Sequence, residues 1–283
     1  MKAVNIMLAL AISLLLLSCQ KTPLRGAEVN YKQGFLDVDV SSLANKEEYQ
    51  GRELELPVLV QNTLAYDLEN AVVSVVGFDN HYVELYSDRT EIPSLEGESI
   101  FNPLGGEERV EFSGLIKQLL PGAVKEAQNY RIYVKYDSKV EFSPSICVTS
   151  QLSGYESYEG GCAFQQEISY NGQGAPLGVT NLEIIPRQGR EVELRLSVEN
   201  KGKGKVGRVS LASATLGGKP MVCDFRGVEE QGAGLFSFAS EQKSAKLLCT
   251  GFLTSESSYQ TTLFVELWYD YEMNVKEQLV ILE

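Results

Sequence analysis

The sequence predicts an all-β protein built as two Greek-key β-sandwich domains in tandem, and three observations lead there. Apolar and polar residues alternate with a period of two in stretch after stretch, as they do on half-buried strands. Turn-forming residues separate these stretches at intervals of roughly eight to twelve positions, and no helical periodicity outlasts a turn or two. The pattern of the first half then returns in the second. Val192, Leu194, Leu196 and Val198 run into Asn200 as Leu54, Leu56, Val58 and Val60 run into Asn62, at an offset of 138. Val265, Leu267, Tyr269 and Asp270 follow Ile132, Val134, Tyr136 and Asp137 at an offset of 133. Two matches in one order, with nearly equal offsets, indicate a duplicated domain.

Met1 to Ser18 reads as an export signal. Lys2 supplies a positive start, Ile6 to Leu17 an apolar run broken only by Ser13, and Ser18 a small residue ahead of Cys19. The run is too short to span a bilayer. Leu16-Leu17-Ser18-Cys19 resembles the lipobox of a lipoprotein signal peptide. The resemblance implies a mature chain that begins at Cys19, carries lipid there and lives outside the cytoplasm. Each acyl methylene buried would contribute roughly 0.8 kcal/mol, so more than one chain makes a durable anchor. An ordinary cleaved signal or an uncleaved anchor helix would leave the remaining residues on the same side of the membrane.

Residues 19–33 are polar and aperiodic, as a tether would be. The first domain is placed at 34–148. Its strands are expected around Leu36 to Val40, Leu54 to Val60, Ala71 to Phe78, Tyr82 to Tyr86, Val110 to Phe112, Tyr130 to Tyr136 and Val140 to Val148. Pro57 removes a ladder donor from the second of these, which suggests an edge position or a bulge. Leu115 to Leu120, ahead of Pro121-Gly122, reads as a single helical turn. Residues 149–176 form a Gly- and Tyr-rich connector, in which Tyr155, Tyr158 and Tyr170 either pack or offer a stacking surface to sugar or protein. The second domain is placed at 177–283, with its last strand ending almost at the final residue.

Composition bounds the function. The chain has 283 residues and a net charge of −13, which becomes −14 once Lys2 is set aside. So acidic a surface repels nucleic acid and anionic headgroups. An apolar content of 43%, with 14 Tyr and 11 Phe, excludes a disordered chain. Of five cysteines, Cys19 is assigned to lipid, leaving Cys147, Cys162, Cys223 and Cys249. Four cysteines allow three connectivities. A domain boundary between Cys162 and Cys223 favours Cys147 with Cys162 and Cys223 with Cys249. Each closed loop would contribute about 3 kcal/mol or slightly more in the chain-entropy model.

Residues Val192 to Val206, VELRLSVENKGKGKV, and the strand ending Tyr269-Asp270-Tyr271 carry a second resemblance. The second half is similar to the extracellular Ig-like modules of bacterial and archaeal surface proteins, the group that includes CARDB-type domains. That similarity implies an Ig-like sandwich with a structural or adhesive role, and it transfers no catalytic residue. The first half keeps Asn62 but has Thr63-Leu64 where Lys201-Gly202 stand in the second. Trp268 does not lie between two cysteines, as an antibody-type core would require.

No nucleophile, phosphate-binding or zinc motif accompanies the sole histidine, His81, so an exposed turn is expected there rather than a general base. Lys201-Gly202-Lys203-Gly204-Lys205 reads as a hairpin tip whose glycines supply positive φ, the alternative being a backbone cradle for an anion. Asp67, Glu69, Asp79 and Asp88 lack the spacing of a calcium loop and read as an acidic rim. No metal or cofactor is implied. Two functions remain: a non-enzymatic surface lipoprotein, bound to the membrane through Cys19 and acting through protein or glycan contacts in adhesion or envelope assembly, or a ligand-binding or accessory lipoprotein of a secretion, transport or enzyme complex.

Overall fold

The computed structural model describes residues 34–150, 161–226, 228–230, 235–238, 242–255 and 257–283. The proposed signal, Cys19, the tether to residue 33, Tyr155 and Tyr158 lie outside these. The described chain is all-β, with three antiparallel sheets and no α-helix beyond one 3-10 turn at Gln188–Arg190.

In the first half the strands are β1 Asp39–Ser42, β2 Glu47–Tyr49, β3 Glu53–Gln61, β4 Leu68–Val76, β5 Val83–Leu85, β6 Arg89–Leu95, β7 Glu107–Ile116, β8 Lys125–Phe142 and β9 Ser145–Val148. The second half has β10 Glu167–Ser169, β11 Leu177–Pro186, β12 Glu191–Asn200, β13 Lys205–Leu216, β14 Lys219–Pro220, β15 Val222–Arg226, β16 Glu229–Glu230, β17 Leu235–Ser237, β18 Ser244–Phe252 and β19 Tyr259–Leu282. A four-stranded sheet runs β1-β3-β7-β5, and a five-stranded sheet runs β10-β11-β12-β18-β15. The ten-stranded sheet has the path β16-β17-β13-β19-β8-β4-β6, with β2, β9 and β14 attached at its margins. Among the described residues, a short parallel ladder of β2 with the end of β19 and an isolated parallel bridge between Gly34 and Gln173 interrupt the antiparallel rule.

The offsets seen in the sequence fall on matching strands. Pairings β1-β3-β7-β5 and β6-β4-β8 in the first half correspond to β11-β12-β18-β15 and β17-β13-β19 in the second. Alternation explains the local structure. On β3, Leu54, Leu56, Val58 and Val60 are fully buried while Glu53 and Glu55 are exposed, and on β12 Val192, Leu194, Leu196 and Val198 are fully buried between half-buried neighbours.

Between the expected domains at 34–148 and 177–283 there is no break in the sheet. β8 and β19 pair over eighteen consecutive positions, Lys125↔Leu282 to Phe142↔Val265, and β9 continues the same register with Ser145↔Thr262 to Val148↔Tyr259. Pro144 has no N–H to donate, but its carbonyl accepts the N–H of Leu263 at 3.0 Å and carries the ladder across the gap. At about 3.4 Å per residue this spine is on the order of 80 Å long. The described residues accordingly form one compact unit, and their buried apolar side chains one continuous cluster.

Two local expectations change. Leu115 and Ile116 belong to β7, paired with Glu53 and Val83, because the alternation of Val110, Phe112 and Gly114 simply continues; no helical turn forms there. Pro57 lies on β3, an interior strand between β1 and β7. Its carbonyl accepts Leu43 N–H at 2.8 Å, just past the last β1 pair, so the missing donor faces the side where β1 has ended.

Both expected disulfides form, Cys147–Cys162 and Cys223–Cys249, the latter joining registered neighbours on β15 and β18. Bridges of this kind persist in oxidising compartments and point to an extracytoplasmic location.

Buried asparagines close the matching strands in the same way. Asn62 Oδ1 accepts Leu64 N–H at 3.0 Å, and its amide donates to the carbonyls of Tyr66 and Leu95, each at 2.9 Å. Asn200 Oδ1 accepts Gly202 N–H at 3.0 Å and its amide donates to Gly204 O at 3.0 Å. Each side chain satisfies backbone groups that leave the ladder where the strand ends, and deleting it strands them without water. Asn62→Ala should cost about 2–4 kcal/mol and Asn200→Ala less, since it makes one fewer bond; urea denaturation of both variants measures the order.

Candidate functional site

Halfway along the spine Asp137 and Asp270 stand opposite each other, and Glu69 of β4 stands opposite Asp137 on the next strand. Three carboxylates in one cross-strand row repel, so this row is held against a local cost. What holds it is a pair of matching bulges. β4 shifts register between Glu69 and Val72, with Asn70 at φ 51, and Asn70 Nδ2 donates to Asp137 Oδ2 at 3.1 Å. β13 shifts register between Val206 and Val209, and there the Arg208 N–H donates to Asp270 Oδ1. Asn70 and Arg208 are separated by the same 138 positions as the duplicated strands. Bulges commonly re-aim side chains beside functional sites.

Asp270 is further flanked by the Arg208 guanidinium and the Lys135 ammonium, each 3.8 Å from Oδ2, and its side chain is only 10% exposed. Gly207 is required for this approach, because a Cβ there would lie 2.7 Å from both Asp270 oxygens. Beside it, half-buried Trp268 projects from the same outward face of β19, and its Nε1–H donates to Glu266 Oε1 at 2.8 Å. Glu69, Asp137, Asp270, Arg208 and Trp268 line a hollow of about 230 Å³ that also takes in Ser210 and Leu235. That is less than a drug-sized ligand needs and suits one sugar ring or one partner side chain. A ring face on Trp268 with hydroxyls donating to the carboxylates is the chemistry the hollow offers.

Under the row, on the inner face, Tyr136 and Tyr271 are opposite neighbours with ring centroids 5.5 Å apart, and Tyr269 meets Tyr271 edge-on at 6.5 Å. Burial pushes all three phenols well above their ordinary range. Tyr271 Oη donates to Asp37 Oδ1 at 2.9 Å, and Asp37 Oδ2 accepts Lys203 N–H at 2.8 Å. The anion at the Lys201 to Lys205 turn is therefore the chain's own Asp37. Gly202 and Gly204 serve close approach rather than positive φ: a Cβ would come 2.1 Å from Tyr271 Oη at the first and 2.3 Å from Glu272 O at the second.

Other sequence candidates are dispersed. Tyr170 turns inward, edge-on to Phe142 at 4.7 Å, and burial pushes its phenol up to about 12. His81 is on an exposed turn with Nδ1 2.8 Å from Asp79 Oδ1. Asp67 accepts Gly97 N–H at 2.7 Å, well away in sequence from Asp79 and Asp88. Among the described residues no three acidic, cysteine or histidine side chains gather as a metal site, and no helix is long and apolar enough to cross a membrane. In the sequence Glu69 reads as part of an acidic rim, and nothing local groups Asp137, Arg208 and Asp270; the offset of 138 that joins Asn70 to Arg208 is the one signal that links the two bulges.

The raised phenols fix a pH dependence. An unfolded tyrosine ionises near pH 10. Because the folded values are higher, the native state holds more protons above that pH, so stability is whole below about pH 10 and falls as pH rises through about 12. Urea midpoints measured across this range should fall, and phenolate absorbance of the buried tyrosines should develop only with unfolding.

No family model matches this chain, and no curated protein matches it either. What the fold shows is an all-β protein of several antiparallel sheets, stapled by two disulfides suited to a compartment outside the cytoplasm.

Proposed function

We propose that this protein is a non-enzymatic lipoprotein, anchored to a membrane by lipid on Cys19, that works at the cell surface or envelope by direct contact with glycan. The observation that carries this reading is the Trp268 hollow, a small depression with an aromatic side chain beside carboxylates, halfway along the long β8–β19 pairing. Sites built on strands hold their geometry better than sites on loops. Carboxylates gathered beside an aromatic ring are groups that can accept hydrogen bonds from a ligand's hydroxyls. Two Ig-like sandwich halves sharing one sheet would serve as a stiff display for that site, in adhesion or in envelope assembly.

Intact mass of the protein extracted from its own membrane tests the anchor, since acyl groups add a fixed increment at Cys19. A panel of immobilised sugars tests the contact. Trp268→Ala should weaken binding at least tenfold with little change in stability. Asp137→Asn should weaken binding while raising stability by up to about 1 kcal/mol, because it relieves like-charge repulsion opposite Asp270. Failure of every sugar, together with a stoichiometric protein partner co-purified from the membrane, would instead favour an accessory subunit of a larger complex.

A further inference from the structure

The connection between β6 and β7 carries three large apolar side chains in water: Ile100 is 73% exposed, Phe101 97% and Leu104 71%. The loop is nevertheless tied down. Gly97 N–H donates to Asp67 Oδ1 at 2.7 Å, and Gly106 N–H to Glu96 O at 2.8 Å. At the tip Asn102 N–H donates to Ser99 Oγ at 3.0 Å and Ser99 N–H to Asn102 O at 2.9 Å. Gln61 Nε2 donates to Leu104 O at 3.0 Å. Gly105, at φ +71, lets the chain pass so close to Asn62 that a Cβ would stand 1.8 Å from its carbonyl oxygen. So firmly held a loop cannot fold its apolar tip inward, and it keeps that tip displayed without paying ordering entropy on contact.

Where the chain enters the described fold decides what the tip meets. Asp39 at the start of β1, Gln61 at the end of β3 and Glu107 at the start of β7 are adjacent in register, so the N-terminal segment and the loop reach the same end of the four-stranded sheet. A short series of backbone bonds connects them: Gly174 N–H to Gly34 O at 2.8 Å, Ala65 N–H to Gly174 O at 2.8 Å, and Glu98 N–H to Leu64 O at 2.7 Å. The fifteen residues 19–33 would span at most about 50 Å extended, and on the order of 20 Å as a flexible coil. A chain anchored at Cys19 thus keeps this end of the sheet within reach of the bilayer.

We infer that Ile100, Phe101 and Leu104 form a second membrane contact, an apolar wedge that enters the lipid surface to which the chain is tethered. This rests on the Cys19 anchor proposed above. Glu96, Glu98, Glu107 and Glu108 flank the tip. The wedge therefore acts by apolar burial rather than by charge, and favours zwitterionic over anionic lipid.

The test uses the full chain extracted from its membrane and reconstituted into phosphatidylcholine vesicles containing bromine-labelled acyl chains. Wild-type protein, whose sole tryptophan is Trp268 on the spine, gives the baseline. In Phe101→Trp the added emission should shift to the blue and lose at least half its intensity to the bromines. Adding Ile100→Ser and Leu104→Ser, or mixing in phosphatidylglycerol, should reduce that quenching at least twofold, while raised salt leaves it unchanged in phosphatidylcholine. Emission that stays at the water-exposed maximum and unquenched overturns the inference, as does protection that appears only at protein concentrations where the chain self-associates. Intact mass of the same sample reads the Cys19 anchor separately, so an absent acyl group and an uninserted loop are distinct results.

Discussion

The antiparallel pairing of Lys125 to Val148 with Tyr259 to Leu282 is the constraint on which the rest depends. Strands in globular proteins are usually three to ten residues long, and β19 alone runs to 24. Each half contributes one strand to the pair, so the ten-stranded sheet runs through both halves while the four- and five-stranded sheets each stay within one. β1 lies against β19 and β11 against β8, so a strand from each half packs over the central strand of the other. Pulling the halves apart would expose a long row of unpaired N–H and C=O groups together with the tyrosines beneath them.

That arrangement also explains why polar groups accumulate at the junction. Matching strands meet about a pseudo-two-fold axis at Asp137 and Asp270, and any residue near such an axis faces its own counterpart. A duplicated acidic residue becomes a pair of like charges. Here the repulsion is offset locally by Lys135, Arg208 and Asn70, two of which stand on the bulges that flank the spine. The symmetry is broken just beneath, where Tyr271 and Lys203 share Asp37 and so bring the first half's leading segment onto the second half.

Much of the architecture was legible in single residues. The period-two alternation placed β3, β12, β8 and β19, and the two asparagines closing β3 and β12 marked the repeat, because the strand end and its buried amide form one local unit. The cysteine couples were legible as well, since proximity in sequence and a shared half favoured short loops. The readings at Pro57 and Leu115 changed for a common reason. Whether a proline sits on an edge, or a Leu-rich segment turns helical, depends on which strand lies alongside, and that neighbour comes from far along the chain.

The sequence by itself determined the all-β class, the paired cysteines and the faces each strand would bury, because these follow from side-chain spacing along one chain segment. Only the tertiary structure decided that the two halves share a sheet, that Asp137, Asp270 and Trp268 gather beside Arg208, and that an apolar loop tip stands where the N-terminal segment joins the fold. Registers between distant strands are set by the summed burial of both partners, and no local pattern encodes that sum.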